Sequence, residues 1–151
     1  MKKFILYIFL IANVHTLMAQ SMQWLFHPGR FSNIQYMGYD LFKVMDNSGK
    51  WGVFSAEGKE LIKCQIDSIT PFVENRALIL DKSGHKIIGI LDYTGEIIKS
   101  FENDSIFTTA YPYYKEGLLS YKDKNNLCGY INYQGEISIK ARFYLAAPFQ
   151  N

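Results

Sequence analysis

Histidine and cysteine are scarce in this chain of 151 residues, and their scarcity limits its chemistry. Of three histidines, only His27 and His85 lie beyond the first twenty residues, and neither has a triad partner by pattern. No serine stands in a Gly-x-Ser-x-Gly elbow, and no segment supplies the alternating oxygen ligands of a calcium loop. We therefore expect a protein that is not an enzyme and that uses neither cofactor nor metal.

The apolar run at the N terminus is too short to cross a membrane. Residues 4–14 give about eleven mostly apolar positions, whereas a spanning helix needs roughly 20. Lys2 and Lys3 precede the run, and Leu17-Met18-Ala19 follows it, which is the order of a secretory signal. We predict a signal peptide over 1–20 and no membrane span after its removal. The mature chain would then lie in the periplasm, at the outer membrane surface or outside the cell.

An excess of charge of either sign is also lacking. Once Lys2 and Lys3 leave with the signal, fourteen basic and fourteen acidic residues remain. The lysines are scattered singly among Glu and Asp, so no basic stripe is available for phosphates or anionic lipid. Nucleic acid is therefore excluded as an expected partner. About 130 remaining residues suffice for one domain with a sizeable core.

A pair of glycines six residues apart, with an apolar strand between them, occurs three times in the chain. The pairs are Gly52 and Gly58, Gly89 and Gly95, and Gly129 and Gly135. A pattern that recurs about every 40 residues is typical of stacked or radial supersecondary units, because one such unit cannot bury its apolar face alone. These glycines, together with Trp51, are predicted to be structural positions of the repeat.

Six four-residue turns bound the strands of these units. Each begins with Asp, Asn or Ser, whose side chain can accept a bond from the backbone two residues on, and ends with Gly or Asn, which tolerates a positive φ. They are 46–49, 55–58, 81–84, 92–95, 123–126 and 132–135. The strands between them are short and rich in β-branched and aromatic residues, so the pattern predicts consecutive antiparallel hairpins.

The fold class is therefore predicted to be all-β, with three tandem hairpin units in an open sheet-like or partial-propeller array. The units cover about 41–75, 76–117 and 118–151, and the last one is incomplete. Three units are fewer than the four blades of the smallest ring-closed propellers. Either the segment 21–40 caps one end, or subunits share strands, or the chain is a truncated member of a longer array.

In the middle strand of each unit, side chains should alternate between two buried faces. Trp51 and Val53 begin one apolar column, which continues through Ile88 and Ile90 to Cys128 and Tyr130. The glycine beside them leaves room for a large neighbour or for the close approach of another strand. Cys64 lies two units away from Cys128, which argues against a disulfide because only adjacent units touch in a solenoid. Two buried thiols are the favoured alternative.

At these residues the chain resembles the bacterial WG-repeat family, also called KWG repeats. The first unit carries Gly49-Lys50-Trp51-Gly52-Val53, followed by Gly58-Lys59, and the resemblance extends from about Leu41 to the C terminus. In the second and third units Ile88 and Cys128 stand in place of the tryptophan. The resemblance implies an all-β repeat array that is often exported and has no shared catalytic chemistry, so no catalytic residues are carried over.

A cluster of tyrosines suggests where such a module would bind. Tyr111, Tyr113 and Tyr114 flank Pro112 beside an extended loop of the second unit, and tyrosine on a rigid sheet suits protein partners and sugars alike. We expect a non-catalytic interaction or structural module of the bacterial cell envelope that binds a protein partner or associates with itself. The alternative is a carbohydrate-binding or carbohydrate-active protein that uses the three tyrosines with Glu102 and Asp104.

Overall fold

The structure is a computed structural model, and it describes residues 29–148. These residues form thirteen β-strands, arranged in three antiparallel sheets. Sheet A contains β1 (Asn33–Gly38), β2 (Leu41–Met45), β3 (Trp51–Ser55) and β4 (Glu60–Ile66). Sheet B contains β5 (Ser68–Ile69), β6 (Arg76–Leu80), β7 (Ile87–Asp92) and β8 (Ile97–Ser100). Sheet C contains β9 (Phe107–Thr108), β10 (Tyr114–Lys115), β11 (Leu118–Lys122), β12 (Cys128–Ile131) and β13 (Ile137–Phe143).

Each sheet is a meander in which neighbours in sequence are neighbours in space. The strand orders are β1-β2-β3-β4, β5-β6-β7-β8 and β10-β11-β12-β13, and β9 also pairs with β11. The predicted all-β array of open antiparallel hairpin sheets is thus confirmed. Within residues 29–148 no helix is long and apolar enough to cross a membrane.

The six predicted turns are all present. In each, the amide of the fourth residue donates to the carbonyl of the first over 2.9 to 3.1 Å, as Gly49 does to Asp46. The fourth residue has a positive φ in every turn, from 61° at Asn126 to 89° at Gly95. The first side chain reinforces the turn, since Asp46 Oδ1 accepts the amides of Ser48 and Lys50. Local turn chemistry therefore fixes the hairpins between the second, third and fourth strands of each sheet.

A different turn joins the first and second strands of each sheet. Its two central residues both have positive φ, which is the type I′ geometry that suits the right-handed twist of a hairpin. These residues are Tyr39-Asp40 in sheet A, Glu74-Asn75 in sheet B and Glu116-Gly117 in sheet C, with φ from 50° to 77°. The three turns therefore provide a second set of equivalent positions on which the sheets can be aligned.

Sheet B lies between sheets A and C, because its two faces contribute to different core clusters. Ala77 and Ile79 pack with residues of sheet A, such as Val53. The alternate residues Leu78 and Leu80 pack with residues of sheet C. The period-two alternation of a strand therefore makes β6 buried on both sides, and each pair of neighbouring sheets encloses its own core.

Each sheet begins one strand earlier than the sequence units do. β1 comes from the segment 21–40 that is predicted to be a cap, and it pairs along β2 in the place that β5 occupies in sheet B and that β9 and β10 occupy in sheet C. The remainder of that segment, 21–28, lies outside the described residues. So do the predicted signal peptide over 1–20 and the last three residues of the third unit.

The first glycine of each pair stands where the following strand approaches closely. A Cβ on Gly52 would lie 2.7 Å from the carbonyl oxygen of Ile62, and one on Gly129 would lie 2.8 Å from the amide nitrogen of Ala141. In both sheets the fourth strand bulges opposite the glycine. Any side chain there would have to displace backbone, so the glycine is required sterically.

The predicted column of middle-strand residues is wrong at one place. Ile88 packs on the cluster shared with sheet A, whereas Ile90 belongs to the cluster shared with sheet C. The pairing of β6 with β7 shifts so that Leu80 faces Ile87 while Ile79 faces Gly89, which leaves Ile88 as an extra residue. A bulge of this kind reverses the facing of the side chains before it.

Candidate binding surfaces

The three tyrosines predicted to form one binding patch do not lie together on the surface. Tyr111 and Tyr113 are 39% and 38% exposed, but Tyr114 is only 1% exposed and belongs to the core between sheets B and C. The prediction of Tyr114 as a surface binding residue is therefore wrong. Its position explains this, because it lies two residues before the type I′ turn, where Phe72 and Met37 also pack inward.

Tyr114 is anchored at both ends of its side chain. Its ring stacks on that of Tyr133 with the centroids 5.3 Å apart, and its hydroxyl donates to the carbonyl oxygen of Asn132 over 3.0 Å. Burial raises the pKa of this hydroxyl. In the sequence, burial of Tyr114 is indicated by its position two residues before Glu116-Gly117. An alignment of the units on Pro112 does not reveal this position.

Tyr111 and Tyr113 lie in an inserted loop, residues 109–113, here called the tyrosine loop. It separates β9 from β10, which both pair with β11 and together replace the single strand β1 of sheet A. The Thr109 hydroxyl lies 2.7 Å from that of Ser120, and the Tyr111 amide donates to Thr109 Oγ1. The two tyrosine rings meet edge to face, 6.3 Å apart and at 83°. The loop is therefore held by contacts within itself and by one hydrogen bond to β11.

A second surface runs along the type I′ turns, where the three sheets are joined by polar contacts. The Tyr39 hydroxyl donates to Asn75 Oδ1, which links sheet A to sheet B. Glu74 links sheet B to sheet C, because it accepts the amides of Glu116 and Gly117 over 2.9 and 3.0 Å and the hydroxyl of Tyr133 over 2.5 Å. This run of contacts, which we call the turn edge, connects successive turns, and its bonds to the Glu74 carboxylate are charge-assisted.

The turn edge contains a recess of about 480 Å³. Its lining residues are Glu74, Asn75, Arg76, Tyr93 and Tyr133. Arg76 lies over the Tyr133 ring at 5.3 Å and donates from Nε to the Tyr133 carbonyl over 3.2 Å. Tyr93 is 46% exposed beside them. The sequence places Tyr93 and Tyr133 at equivalent turn positions, but Glu74 and Arg76 join them only because the sheets stack.

The electrostatics of the recess are set by one hydrogen bond. The Tyr133 hydroxyl, with the amides of Gly117 and Glu116, lowers the pKa of the Glu74 carboxyl despite partial desolvation. Desolvation, followed by the bond to Glu74, raises the pKa of Tyr133 to about 12. Glu74 is therefore an ionised acceptor whose oxygens are already engaged, which is the chemistry of a structural connection and not of a proton-transfer group.

A third feature is a cleft of about 590 Å³ between sheets A and B, here called the inter-sheet cleft. Isoleucines from both sheets, including Ile62, Ile79 and Ile97, form its apolar walls. Its charged lining residues are all acidic, and they are Asp67, Asp81 and Glu102. Asp67 forms an ion pair with Lys50. Asp81 accepts the amides of His85 and Lys86, and these bonds lower its pKa although burial opposes them.

The corresponding space between sheets B and C is filled by larger side chains. Tyr121 pairs with Gly129 where Ile79 pairs with Gly89. Phe101 bonds to the backbone of Ile88 where Ile66 pairs with Trp51, and Ile106 precedes β9 where Asp67 precedes β5. Phe101, Ile106 and Tyr121 are buried in the cluster between sheets B and C. The inter-sheet cleft therefore exists because three side chains there are smaller or polar.

The remaining candidate residues are dispersed. Glu102 lines the inter-sheet cleft, whereas Asp104 is exposed and is not part of that lining. Cys64 in sheet A and Cys128 in sheet C are both free thiols; Cys128 is buried, whereas Cys64 is only partly buried, so the prediction of two buried thiols is wrong for Cys64. Burial raises the pKa of the Cys64 thiol. Among residues 29–148 no group of three or more His, Cys, Asp or Glu is placed to hold a metal ion.

Comparison with known proteins matches two segments of the chain to a family described as WG containing repeat. The matched segments are residues 51–84, which run from β3 to the turn after β6, and residues 129–151 of the third unit. Together they cover less than half of the chain. No curated protein and no solved structure matches it. With its stacked hairpin sheets and these two matches, the chain is a β-repeat protein that resembles the WG-repeat family, as its motifs predict.

Proposed function

We propose that this protein is an exported, non-catalytic interaction module of the bacterial cell envelope that binds a protein partner through the tyrosine loop. The observation that carries the proposal is the insertion itself. The corresponding strand is continuous in sheet A, whereas in sheet C it is interrupted by residues that add exposed Tyr111 and Tyr113. An insertion that adds aromatic surface to a repeated scaffold is suited to recognition.

Tyrosine pairs held in place are effective contact residues. A tyrosine has few rotatable bonds, so it offers a large apolar area and a polar tip at low entropic cost. Aromatic residues and arginine are enriched at the energetically important centre of protein interfaces. Tyr111 and Tyr113 are additionally ordered by bonds within the loop, which reduces the entropy lost on binding.

The geometry of the pair favours a protein over a glycan. Because the rings meet at 83°, they do not form one flat platform on which a sugar ring could stack. The non-catalytic assignment is supported by the use of the carboxylates. Asp46, Asp92 and Glu74 each accept backbone amides that close a turn or join two sheets, and a group committed in this way is unavailable for proton transfer.

The experiment is capture of envelope proteins on the immobilised mature chain, with Tyr111→Ala/Tyr113→Ala as the test variant. Tyr144→Ala is the matched control, because Tyr144 is 92% exposed and lies outside the loop. We expect the double variant to keep its melting temperature and lose the captured protein, and the control to retain it. Equal capture by all three proteins would contradict the proposal.

The glycan alternative is tested with the same variants. Affinity electrophoresis of the wild type through a panel of polysaccharides should show no retardation. If a polysaccharide retarded the wild type but not the double variant, the ligand of the tyrosine loop would be a glycan and not a protein. Export is tested separately by the N-terminal sequence of the protein recovered from cells, which should begin near Gln20 because the signal peptide is predicted to end there.

A further inference from the structure

We propose that the inter-sheet cleft is a second binding site, which takes an extended peptide carrying a large apolar side chain next to a lysine or arginine. The site lies on sheets A and B, and it does not depend on the tyrosine loop of sheet C. The proposal rests on three observations. They are the side chains that fill the corresponding space at the next junction, between sheets B and C, the acidic charge of the cleft, and the strand edge beside it.

The apolar requirement follows from comparison of the two junctions. Between sheets B and C, the ring of Phe101 and the side chains of Tyr121 and Ile106 occupy the space between the layers. Their counterparts Ile66, Ile79 and Asp67 leave a cleft of about 590 Å³. An open space of this size, walled by isoleucines, accommodates an aromatic side chain from another molecule in the place that Phe101 fills internally.

The charge requirement follows from the acids at the cleft. Asp67, Asp81 and Glu102 line it, and no lysine or arginine does. Lys50 offsets Asp67, and Lys86 donates to the main-chain carbonyl of Glu102 over 2.8 Å. Among residues 29–148, neither the Asp81 nor the Glu102 carboxylate is in an ion pair. These two carboxylates are complementary to a basic side chain.

The extended conformation follows from the strand that borders the cleft. β8 is the last strand of sheet B, and within the described part of the chain it pairs with β7 alone. Ile97 and Ser100 of β8 line the cleft. The other edge of β8 offers backbone donors and acceptors to an added strand, and alternate side chains of that strand would then point towards the isoleucines.

The test uses a labelled synthetic peptide with one phenylalanine between two lysines in a serine and threonine background. Its matched partner carries glutamate in place of lysine. Fluorescence anisotropy at low ionic strength should show saturable binding of the lysine peptide and none of the glutamate peptide. Added salt should weaken the binding, because exposed charges are screened.

Two kinds of variant locate the binding. Ile79→Phe introduces a larger side chain, as at the filled junction between sheets B and C. We expect this variant to fold normally and to bind the peptide about tenfold or more weakly, because the new ring occupies the cleft. Glu102→Gln should lower the affinity for the peptide by about two- to fivefold, which is the effect of losing one exposed ion pair. The Asp104→Asn variant, which changes another exposed acid that lies outside the lining, should bind the peptide as the wild type does.

Several results would overturn the proposal. They are absence of binding up to about 1 mM peptide, equal binding of the two peptides, and wild-type affinity in Ile79→Phe. If Ile79→Phe does not fold, Ile66→Phe replaces it, and amide shifts of the wild type must change at Gly89 and Ile97 on peptide addition. Self-association that the filling variant abolishes would make a second copy the occupant instead. The variant Tyr111→Ala/Tyr113→Ala must still bind the peptide. The proposal for this site and the proposal for the tyrosine loop can therefore be refuted independently.

Discussion

The junction between sheets A and B and the junction between sheets B and C share a backbone plan but differ in how they are filled. The fully buried residues of the first are all aliphatic, among them Ile66 and Ile79, and this junction retains the inter-sheet cleft. The second carries the aromatic rings of Phe101, Tyr114 and Tyr121 in its core. At the turn edge, the hydroxyl of Tyr39 bonds to Asn75 across the first junction, whereas Glu74 accepts three hydrogen bonds across the second.

The repeat therefore specifies the layers, whereas individual side chains determine whether the space between two layers is filled or open. The turns and the glycine pairs recur in all three sheets, so they fix the strand order and the spacing of the layers. Large rings then fill the space between sheets B and C. Smaller residues at the same places leave the other junction open, where a partner can bind.

Removing the Tyr114 ring from the junction between sheets B and C should destabilise the protein most. Tyr114→Ala should lower the free energy of unfolding by about 4 kcal/mol, since it deletes a buried aromatic side chain and leaves a cavity. Phe72→Ala, at the equivalent position of the first junction, should cost about 2 kcal/mol, because Phe72 is only partly buried. Urea unfolding followed by fluorescence measures both.

The neighbouring Tyr113 provides the control for that comparison. Tyr113→Ala should change the free energy of unfolding by less than about 0.5 kcal/mol, because the side chain is exposed and lies in the tyrosine loop. If Tyr113→Ala destabilised the protein as much as Tyr114→Ala, the division of the tyrosines between core and surface would be wrong.

A smaller effect is expected from adding one methyl group at the repeat glycines. Gly129→Ala should cost about 3 kcal/mol, since its Cβ would collide with the carbonyl oxygen of Ile139 and lie 2.7 Å from the ring of Tyr121. Gly89→Ala should cost about 1 kcal/mol, because the contact is 2.9 Å with the Lys99 carbonyl and the side chains there are 3.5 Å away or more. Thermal unfolding of the two variants measures the ranking, and equal melting temperatures would contradict the closer packing of the second junction.

The sequence predicts local features of this fold well and long-range ones poorly. The turns that begin at Asp46 and Asp92 follow from side chains that bond to the backbone within four residues, so their residues suffice to predict them. The facing of Ile88 was mispredicted because a bulge depends on the strand opposite. The inter-sheet cleft could not be predicted at all, since it depends on how Ile79 and Asp67 compare with residues one layer away.

A weaker effect is expected from removing the charge that joins sheets B and C. Glu74→Gln should lower the free energy of unfolding by about 1 kcal/mol at neutral pH, because an amide oxygen is a weaker acceptor than a carboxylate for the amides of Gly117 and Glu116 and for the Tyr133 hydroxyl. Asn75→Ala is the matched change at the first junction and should cost about 0.5 kcal/mol, since it removes one exposed bond to Tyr39.

The pH dependence separates the charge of Glu74 from its shape. The pKa of Glu74 is lowered in the folded protein, so its contribution to stability is fully present above the ordinary glutamate value of about 4.3 and is lost as the pH falls through the lowered folded-state pKa. The stability difference between wild type and Glu74→Gln should therefore shrink between about pH 5 and pH 3.

At alkaline pH, the pKa of Tyr133, which is raised to about 12, should fall in Glu74→Gln, because a neighbouring negative charge has been removed. Tyrosinate absorbance, read as the difference from Tyr133→Phe, measures that shift. An unchanged pKa would mean that desolvation alone holds the Tyr133 proton, and the junction between sheets B and C would then be closed by its rings without help from the carboxylate.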